Sequence, residues 1–139
     1  MRSLILHVDK FATKIIEESK WPKGIIPEVK KSNKEEMKKC LVVFFCVENG
    51  DTKKQVEEMY KEILKTAEEV NTKKLLISPF VHLSKNIAKP ETAKKLYEFL
   101  MSKFIDSDFT VQSSHFGYHK SLLLDIKGHP GSFRYREFY

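Results

Sequence analysis

Two largely apolar runs, each followed by a helix pattern, constrain the fold of this chain more than any other feature of its sequence. The runs are "CLVVFFCV" (Cys40–Val47) and "KLLISPFV" (Lys74–Val81). A strand that is apolar at every position is buried on both faces, which is typical of a central strand in an α/β sheet. We therefore predict two βα units that contribute their strands to one sheet.

The helices that follow these runs have clear starting signals. Thr52 and Gln55 have the spacing of a capping box, and Pro90 suits the first turn of the second helix. Apolar residues then recur at three- and four-residue intervals, which gives each helix one face for the core. These residues are Val56, Met59, Tyr60, Ile63, Leu64, Ala67 and Val70 in the first helix, and Ala93, Leu96, Tyr97, Leu100, Met101 and Phe104 in the second.

Four further segments have strand character: "SLILHV", "FTVQS", "YHKSLLLDI" and "SFRYREF". The segment "FATKIIEESK" fits a second strand or a short helix. Residues Trp21–Lys39 are lysine-rich and broken by prolines, which predicts a loop with one helical turn near "NKEEMKK". The whole pattern predicts an α/β fold in which residues 1–139 form a single domain, with a mixed sheet and two main helices packed on one face.

The sequence lacks the motifs of nucleotide-binding, membrane-spanning and metal-binding proteins. Neither βα junction carries the glycine spacing of a dinucleotide or P-loop site. No apolar run approaches the roughly 20 residues that a membrane-spanning helix needs, so a cytoplasmic location is expected. Cys40 and Cys46 have neither disulfide nor metal spacing and are predicted to be packing residues. No metal or other cofactor is predicted.

The charge of the chain bears on its partner. Lysine and arginine total 25 against 19 acidic residues, which gives a net charge of +6. This excess favours contact with a polyanion such as RNA, through the release of condensed counterions. A lysine-rich, heat-adapted surface without a ligand would carry the same charge.

Polar residues at the ends of apolar strands are the candidate site residues. His82 follows "KLLISPFV", at the strand end where α/β sheets usually gather ligands, although a structural histidine fits there too. Lys120 precedes "SLLLDI", so its ammonium either reaches solvent or is held in a pocket. His119 is its neighbour, and in a regular strand one of the two side chains faces inward.

The segments "SPFVHLSKNIAKP" and "FGYHKSLLLDIKGHP" resemble the paired signatures of the N-terminal editing domain of archaeal-type threonyl-tRNA synthetases. The segments "MRSLILHVDKF" and "LVVFFCVE" fall where that family has similar ones. The resemblance implies the fold of D-aminoacyl-tRNA deacylases and a homodimer, and the long apolar strand "SLLLDI" is a candidate for the dimer interface. The implied partners are threonine tRNA and, for an excised domain, the remainder of a synthetase.

The resemblance also implies a reaction, the hydrolysis of serine wrongly attached to threonine tRNA. Lys120 and His82 would be the catalytic residues, with Lys120 placing the attacking water and supporting the developing negative charge. A ribose hydroxyl of the tRNA would assist. The substrate-binding residues would be Val47, Pro79, Phe80, Val81 and His119.

The sequence departs from the family pattern at two positions. His119 stands where the family usually has tyrosine, and Phe133 stands where it has a glutamate; the nearest carboxylate, Glu137, lies four positions later. These departures keep two alternatives open. One is a deacylase with a different substrate, such as a D-aminoacyl-tRNA. The other is a catalytically weak tRNA-binding appendage of a synthetase.

Overall fold

The fold is built from the two βα units and the strands that flank them. The computed structural model describes residues 1–20, 23–25, 27 and 32–139. Within these residues the elements follow the order β1 (Arg2–Glu18), β2 (Lys34–Cys46), α1 (Lys53–Glu69), β3 (Lys74–Pro79), α2 (Pro90–Ser102), β4 (Thr110–Ser113), β5 (Tyr118–Ile126) and β6 (Phe133–Glu137).

All six of these strands belong to one mixed sheet. The strand order is β4-β3-β2-β1-β5, and β6 also pairs with β1. Strands β2, β3 and β4 are parallel and are joined by α1 and α2, as crossover connections require. Strand β1 runs antiparallel to its neighbours and is long enough to pair with β6 over 2–6 and with β5 over 8–18.

Two apolar clusters lie on the two faces of this sheet. The first contains both helices, which pack through side chains such as Ile63 and Leu100 onto Val43 and Leu75 of the sheet. The second lies on the opposite face, around Phe11. Partly buried residues of β5 and of the segment beyond β3 pack against this second cluster, namely Phe80, Leu83, Leu124 and Ile126. The prediction of a mixed sheet with two helices on one face is confirmed.

Both helices begin where the sequence predicts. The side chain of Thr52 accepts a hydrogen bond from the Lys54 N–H, and the Thr52 N–H donates to Gln55 Oε1 at 2.8 Å, which completes the capping box. Pro90 is the first residue of α2. Among the described residues, no helix has both the length and the apolar character needed to cross a membrane.

The structure corrects two expectations at the ends of strands and decides one that the sequence left open. The helical turn predicted near "NKEEMKK" is wrong, because β2 already begins at Lys34 and pairs with β1 there. The ambiguous segment "FATKIIEESK" continues β1 as far as Glu18. Strand β3 ends at Pro79, and a single 3₁₀ turn over Val81–Leu83 follows it. The rest of the predicted 21–39 loop lies partly outside the described residues.

A histidine pair joins β1 to the segment before β6. His7 Nδ1 lies 2.8 Å from His129 Nε2, and His129 Nδ1 accepts a hydrogen bond from the Gly131 N–H. Since His129 Nδ1 is an acceptor, the neutral ring of His129 carries its proton on Nε2 and donates it to His7. Burial, His129 and Lys127 together lower the pKa of His7 from its usual 6.5.

We expect this pair to make the stability of the fold depend on pH. A lowered pKa means that the unfolded chain binds the proton more readily, so the free energy of unfolding should fall as the pH falls below 6.5. Urea denaturation at pH 7.5 and pH 5.5 measures this effect. The His7→Gln variant should lose less stability over this interval, and an identical loss in both proteins would contradict the assignment.

Candidate functional site

A cavity of about 240 Å³ lies at the edge of the sheet where β2 and β3 end and β5 begins. Parallel strands bring their carboxyl ends to one edge of a sheet, which explains why residues following β2 and β3 meet there. The first turn of α2 and the segment between β3 and α2 form one side of the cavity. Ser19, just beyond β1, and the start of β5 form the other side.

All seven residues that the resemblance assigned to a site line this one cavity. The predicted convergence of the backbone around 79–82 with the side chain of Lys120 is therefore present in the fold. The seven are Val47, Pro79, Phe80, Val81, His82, His119 and Lys120.

A tight turn between β4 and β5 brings Lys120 to the cavity. The Ser114 N–H donates to the Ile77 carbonyl, so the turn begins beside the end of β3. His115 and Gly117 then have positive φ angles of 65° and 92°. A Cβ atom on Gly117 would lie 2.5 Å from Pro27 Cα, so only glycine fits between the turn and that residue.

The ammonium of Lys120 is held at the cavity wall by hydrogen bonds. Its Nζ donates to the His115 carbonyl at 2.7 Å and to Ser114 Oγ at 3.3 Å. The hydroxyls of Ser114 and Ser78, both buried, lie 2.7 Å apart. Lys120 therefore faces inward on β5, while its neighbour His119 is exposed. The sequence left open whether the Lys120 ammonium reaches solvent or is held in a pocket, and in the structure it is held in a pocket.

Two histidines stand at the exposed margin of the cavity. His82 lies in the 3₁₀ turn after β3, with its ring 5.0 Å from the ring of Phe80 in an edge-to-face arrangement. His119 is the second residue of β5. Their imidazoles can donate or accept hydrogen bonds near neutral pH, so both can contact a polar substrate that enters the cavity.

Cys46 lines the cavity but is unsuited to act as a nucleophile. Burial is the largest cause that raises the pKa of its thiol, to about 11, so the thiol stays protonated at neutral pH. The Sγ atom lies 3.7 Å from the carbonyl oxygens of Val47 and Val81, which lets the thiol bridge the ends of β2 and β3. Cys46 and Cys40 are both buried packing residues, as the sequence predicts.

Acidic side chains are missing from the described lining of the cavity. Phe133 does not replace one there, since it is 62% exposed on β6 and lies outside the cavity. Glu137 also lies elsewhere and pairs with Arg2. No group of three His, Cys, Asp or Glu side chains that could hold a metal occurs in the described part of the chain.

Sequence reasoning missed the residues that support the cavity from below. Ser78 is the last residue but one of β3, and Ser114 directly follows β4, the parallel strand beside it. Tyr118 lines the cavity together with Cys46. The sequence signal that could have identified them is a serine close to the end of β3 and another close to the end of β4. Only the pairing of β3 with β4 makes these serines neighbours, and that pairing joins residues 36 positions apart.

Both the sequence and the fold of this chain are similar to those of known proteins. A family model described as "Archaea-specific editing domain of threonyl-tRNA synthetase" matches residues 1–138. The threonine–tRNA ligase of Staphylothermus marinus is 37% identical over 132 residues, which cover 94% of this chain and 21% of the ligase. That of Pyrococcus furiosus is 33% identical over 134 residues. The chain spans about a fifth of the length of these curated relatives.

A solved structure named "c-Myc DNA Unwinding Element Binding Protein" has a similar fold. Its TM-score is 0.71 at 13% sequence identity, and the match covers 99% of this chain and 98% of that one. At this identity the likeness concerns the fold alone. The predicted class, a mixed sheet with two helices in a D-aminoacyl-tRNA deacylase-like arrangement, is confirmed.

Proposed function

The chain belongs to the archaea-specific editing domains of threonyl-tRNA synthetase, and from this premise we propose that it removes serine from mischarged threonine tRNA. Editing domains of this kind are aminoacyl-tRNA hydrolases, the enzyme class expected from the sequence. The observation that carries the proposal is the single cavity that Lys120 and Pro79–Val81 line together, with the Lys120 ammonium held in its wall by the His115 carbonyl and Ser114.

The proposed reaction is hydrolysis of the ester between serine and the terminal ribose. The oxygen of a water molecule bonds to the ester carbonyl carbon, and the negative charge that develops on the carbonyl oxygen is stabilised by the Lys120 ammonium. The bond from carbon to the ribose oxygen then breaks, and a proton from the water passes to that oxygen. A neighbouring ribose hydroxyl assists this transfer. The products are free serine and a tRNA with an intact terminus.

Each protein group has a role in this scheme that does not require it to lose a proton. An ammonium acts on charge that is small in the ground state and large in the transition state, which is how a barrier is lowered. His82 and His119 contact the substrate at the margin of the cavity. Val47 and Pro79–Val81 bind the aminoacyl and adenosine ends. No carboxylate is used, in agreement with the lining of the cavity.

A separate editing site that removes serine after its attachment to the tRNA has a clear energetic reason. A binding site for threonine rejects serine only by the loss of one methyl contact, which is worth about 1–3 kcal/mol. That difference is too small for accurate translation. A separate cavity in which the extra methyl of threonine clashes or displaces the water discriminates in the opposite direction.

The test is to incubate the protein with threonine tRNA charged with serine, with threonine or with a D-amino acid, and to measure release of each amino acid. Selective release of serine supports the proposal. Release of the D-amino acid would favour the related deacylase, which the changes at His119 and Phe133 keep as the second candidate. Retained binding of tRNA without any release would favour a tRNA-binding appendage.

We extend the proposal to the setting of the domain. Residues 1–139 would act as a single editing domain that meets the aminoacyl end of threonine tRNA, in association with the remainder of a synthetase and in the cytoplasm. The relatives that carry the same segment within much longer ligases support this setting.

We also propose that the domain forms a homodimer through β5. This strand lies at the edge of the sheet, and Leu122 and Leu123 are 40% and 52% exposed on it. An edge strand with exposed leucines pairs readily with a second copy. Sedimentation at micromolar concentration should give a dimer, and Leu123→Lys should shift it towards the monomer. A monomeric unmodified chain would refute this assembly.

A further inference from the structure

Five lysines adjoin cavity-lining residues along the chain, and we refer to them as the lysine rim. Each lies one or two positions from a residue that lines the cavity, and four of the five are classed as exposed. Two of them follow β1, on the β5 side of the entrance, and three belong to the segment between β3 and the first turns of α2. The lysine rim consists of Lys20, Lys23, Lys85, Lys89 and Lys94.

The lysine rim differs from many other lysines of the chain in its charge partners. None of the five forms an ion pair with a carboxylate of the described residues. The lysines that do form such pairs are Lys10, Lys38, Lys54, Lys73, Lys95, Lys103 and Lys127. The positive charge at the entrance is therefore not neutralised locally, which is the condition for attracting an anion.

The charge around the entrance is also large for its length. The segments 17–25 and 82–95 contain six lysines and three glutamates. Their net charge of +3 is half of the net charge of +6 of the whole chain. One of the glutamates, Glu91, already pairs with Lys95. A strip of this sign complements a phosphodiester backbone.

Backbone contacts hold part of the lysine rim in place. The Ala88 N–H donates to the Val47 carbonyl at 2.9 Å, and the Asn49 N–H donates to the Asn86 carbonyl at 3.0 Å. The side chains of Asn49 and Asn86 are also joined, at 2.8 Å. Lys85 and Lys89 flank this anchored stretch, so their stems start from a fixed backbone. A preorganised surface loses less entropy when it binds.

We propose that the lysine rim binds the phosphates of the RNA strand whose aminoacyl end enters the cavity. This inference rests on the proposed function and assigns it a docking surface. A cavity of about 240 Å³ accommodates only the end of such a substrate, so the preceding nucleotides must lie outside it, and the lysine rim adjoins the residues that line it. Contacts to phosphates position a nucleic acid without reading its sequence.

The test compares two double variants that change the net charge equally. Lys85→Glu with Lys89→Glu alters the lysine rim. Lys61→Glu with Lys65→Glu alters exposed lysines on α1, a helix that contributes no described residue to the cavity. Fluorescence anisotropy with uncharged threonine tRNA measures affinity between 50 and 200 mM KCl, about the range over which phosphate contacts weaken strongly.

We expect the rim variant to bind at least about tenfold more weakly at low salt, with a salt slope that is smaller by about two. The affinity of the α1 variant should stay within about twofold of that of the unmodified chain. A loss of this size is the general effect of the changed net charge, which both variants share. Equal affinity losses in the two variants would overturn the assignment of the lysine rim, as would a flat response to salt in the unmodified chain.

A kinetic comparison separates this inference from the proposed function. With seryl-tRNA the rim variant should lose kcat/KM about tenfold, mainly through KM, whereas with the small ester seryl-adenosine it should match the unmodified chain. An equal loss on both esters would overturn the lysine rim. If the unmodified chain hydrolyses neither ester, the proposed function fails, and the anisotropy result with uncharged tRNA still decides whether the rim binds RNA.

Discussion

Replacing Lys120 with methionine should lower kcat/KM for the release of serine from threonine tRNA by about 10²–10³-fold, the usual effect of removing one donor to a developing oxyanion. Methionine keeps the length and the apolar stem of lysine but loses the charge and the hydrogen bonds to the His115 carbonyl and Ser114. Because the lost interaction strengthens in the transition state, kcat should fall while KM changes little.

The matched control for this prediction is Lys127→Met. Lys127 follows the same strand, but it lies outside the cavity and pairs with Asp9 on the surface. This variant should retain full hydrolysis, and both variants should unfold at a temperature close to that of the unmodified chain. Unchanged turnover in Lys120→Met would mean that the lysine serves only to hold the turn between β4 and β5.

The elements that were predicted well from the sequence are those that local sequence features determine, whatever the order of the strands in the sheet. Strand β2 over 40–46 is buried at every position, and a short run that is apolar throughout and rich in β-branched and aromatic residues is typical of a central strand. Helix α1 has both a capping box and a single apolar face, so its start and its orientation follow from local chemistry. Local and global preferences agree in these elements.

The first half of β2 was misjudged because its strand character comes from pairing. Residues 34–39 are mostly charged, and their residue-by-residue pattern does not alternate cleanly between buried and exposed. They are extended because β1, which is longer than β2, offers partners from Lys14 to Lys10 across the sheet. A partner strand more than twenty residues away overrides local propensity here.

The candidate site was likewise predicted only in part, because some of its features depend on the pairing of distant strands. The resemblance named seven residues that line one cavity, but it said nothing of how Lys120 is held. That depends on two positive φ angles in the turn and on the approach of Ser114 to Ser78. These features require β3 and β4 to be adjacent and parallel, which no local pattern encodes.

A buried ionic network stands directly behind the cavity, next to Val47. The amino terminus of Met1 is fully buried and donates to Glu48 Oε2 at 3.0 Å and to Asp51 Oδ1 at 2.8 Å. Glu48 also accepts hydrogen bonds from Arg2 at 2.8 Å and from Ser84 at 2.5 Å. Ser84 follows the turn that contains the cavity residues Val81 and His82, so the network ties that turn to the core.

This network sets the ionisation of Glu48. Burial acts to raise the pKa of its carboxyl group, but the hydrogen bonds from Ser84 and the amino terminus, with the charges of that terminus and of Arg2, outweigh burial and lower it. A carboxyl group with a lowered pKa stabilises the fold above its unfolded pKa of 4.5, and this contribution is lost as the pH falls through the folded value.

The Glu48→Ala variant should lose about 3 kcal/mol of unfolding free energy at pH 7, because it leaves the buried ammonium with only one carboxylate partner. Urea denaturation at pH 7 and pH 4 measures both the loss and its cause. The unmodified chain should lose stability over this interval, and the variant should lose less of it. The control is Glu58→Ala, which breaks only a surface pair with Lys54 and should cost at most about 0.5 kcal/mol. Equal stability of the two variants would mean that Asp51 and the Phe138 carbonyl satisfy the amino terminus without Glu48.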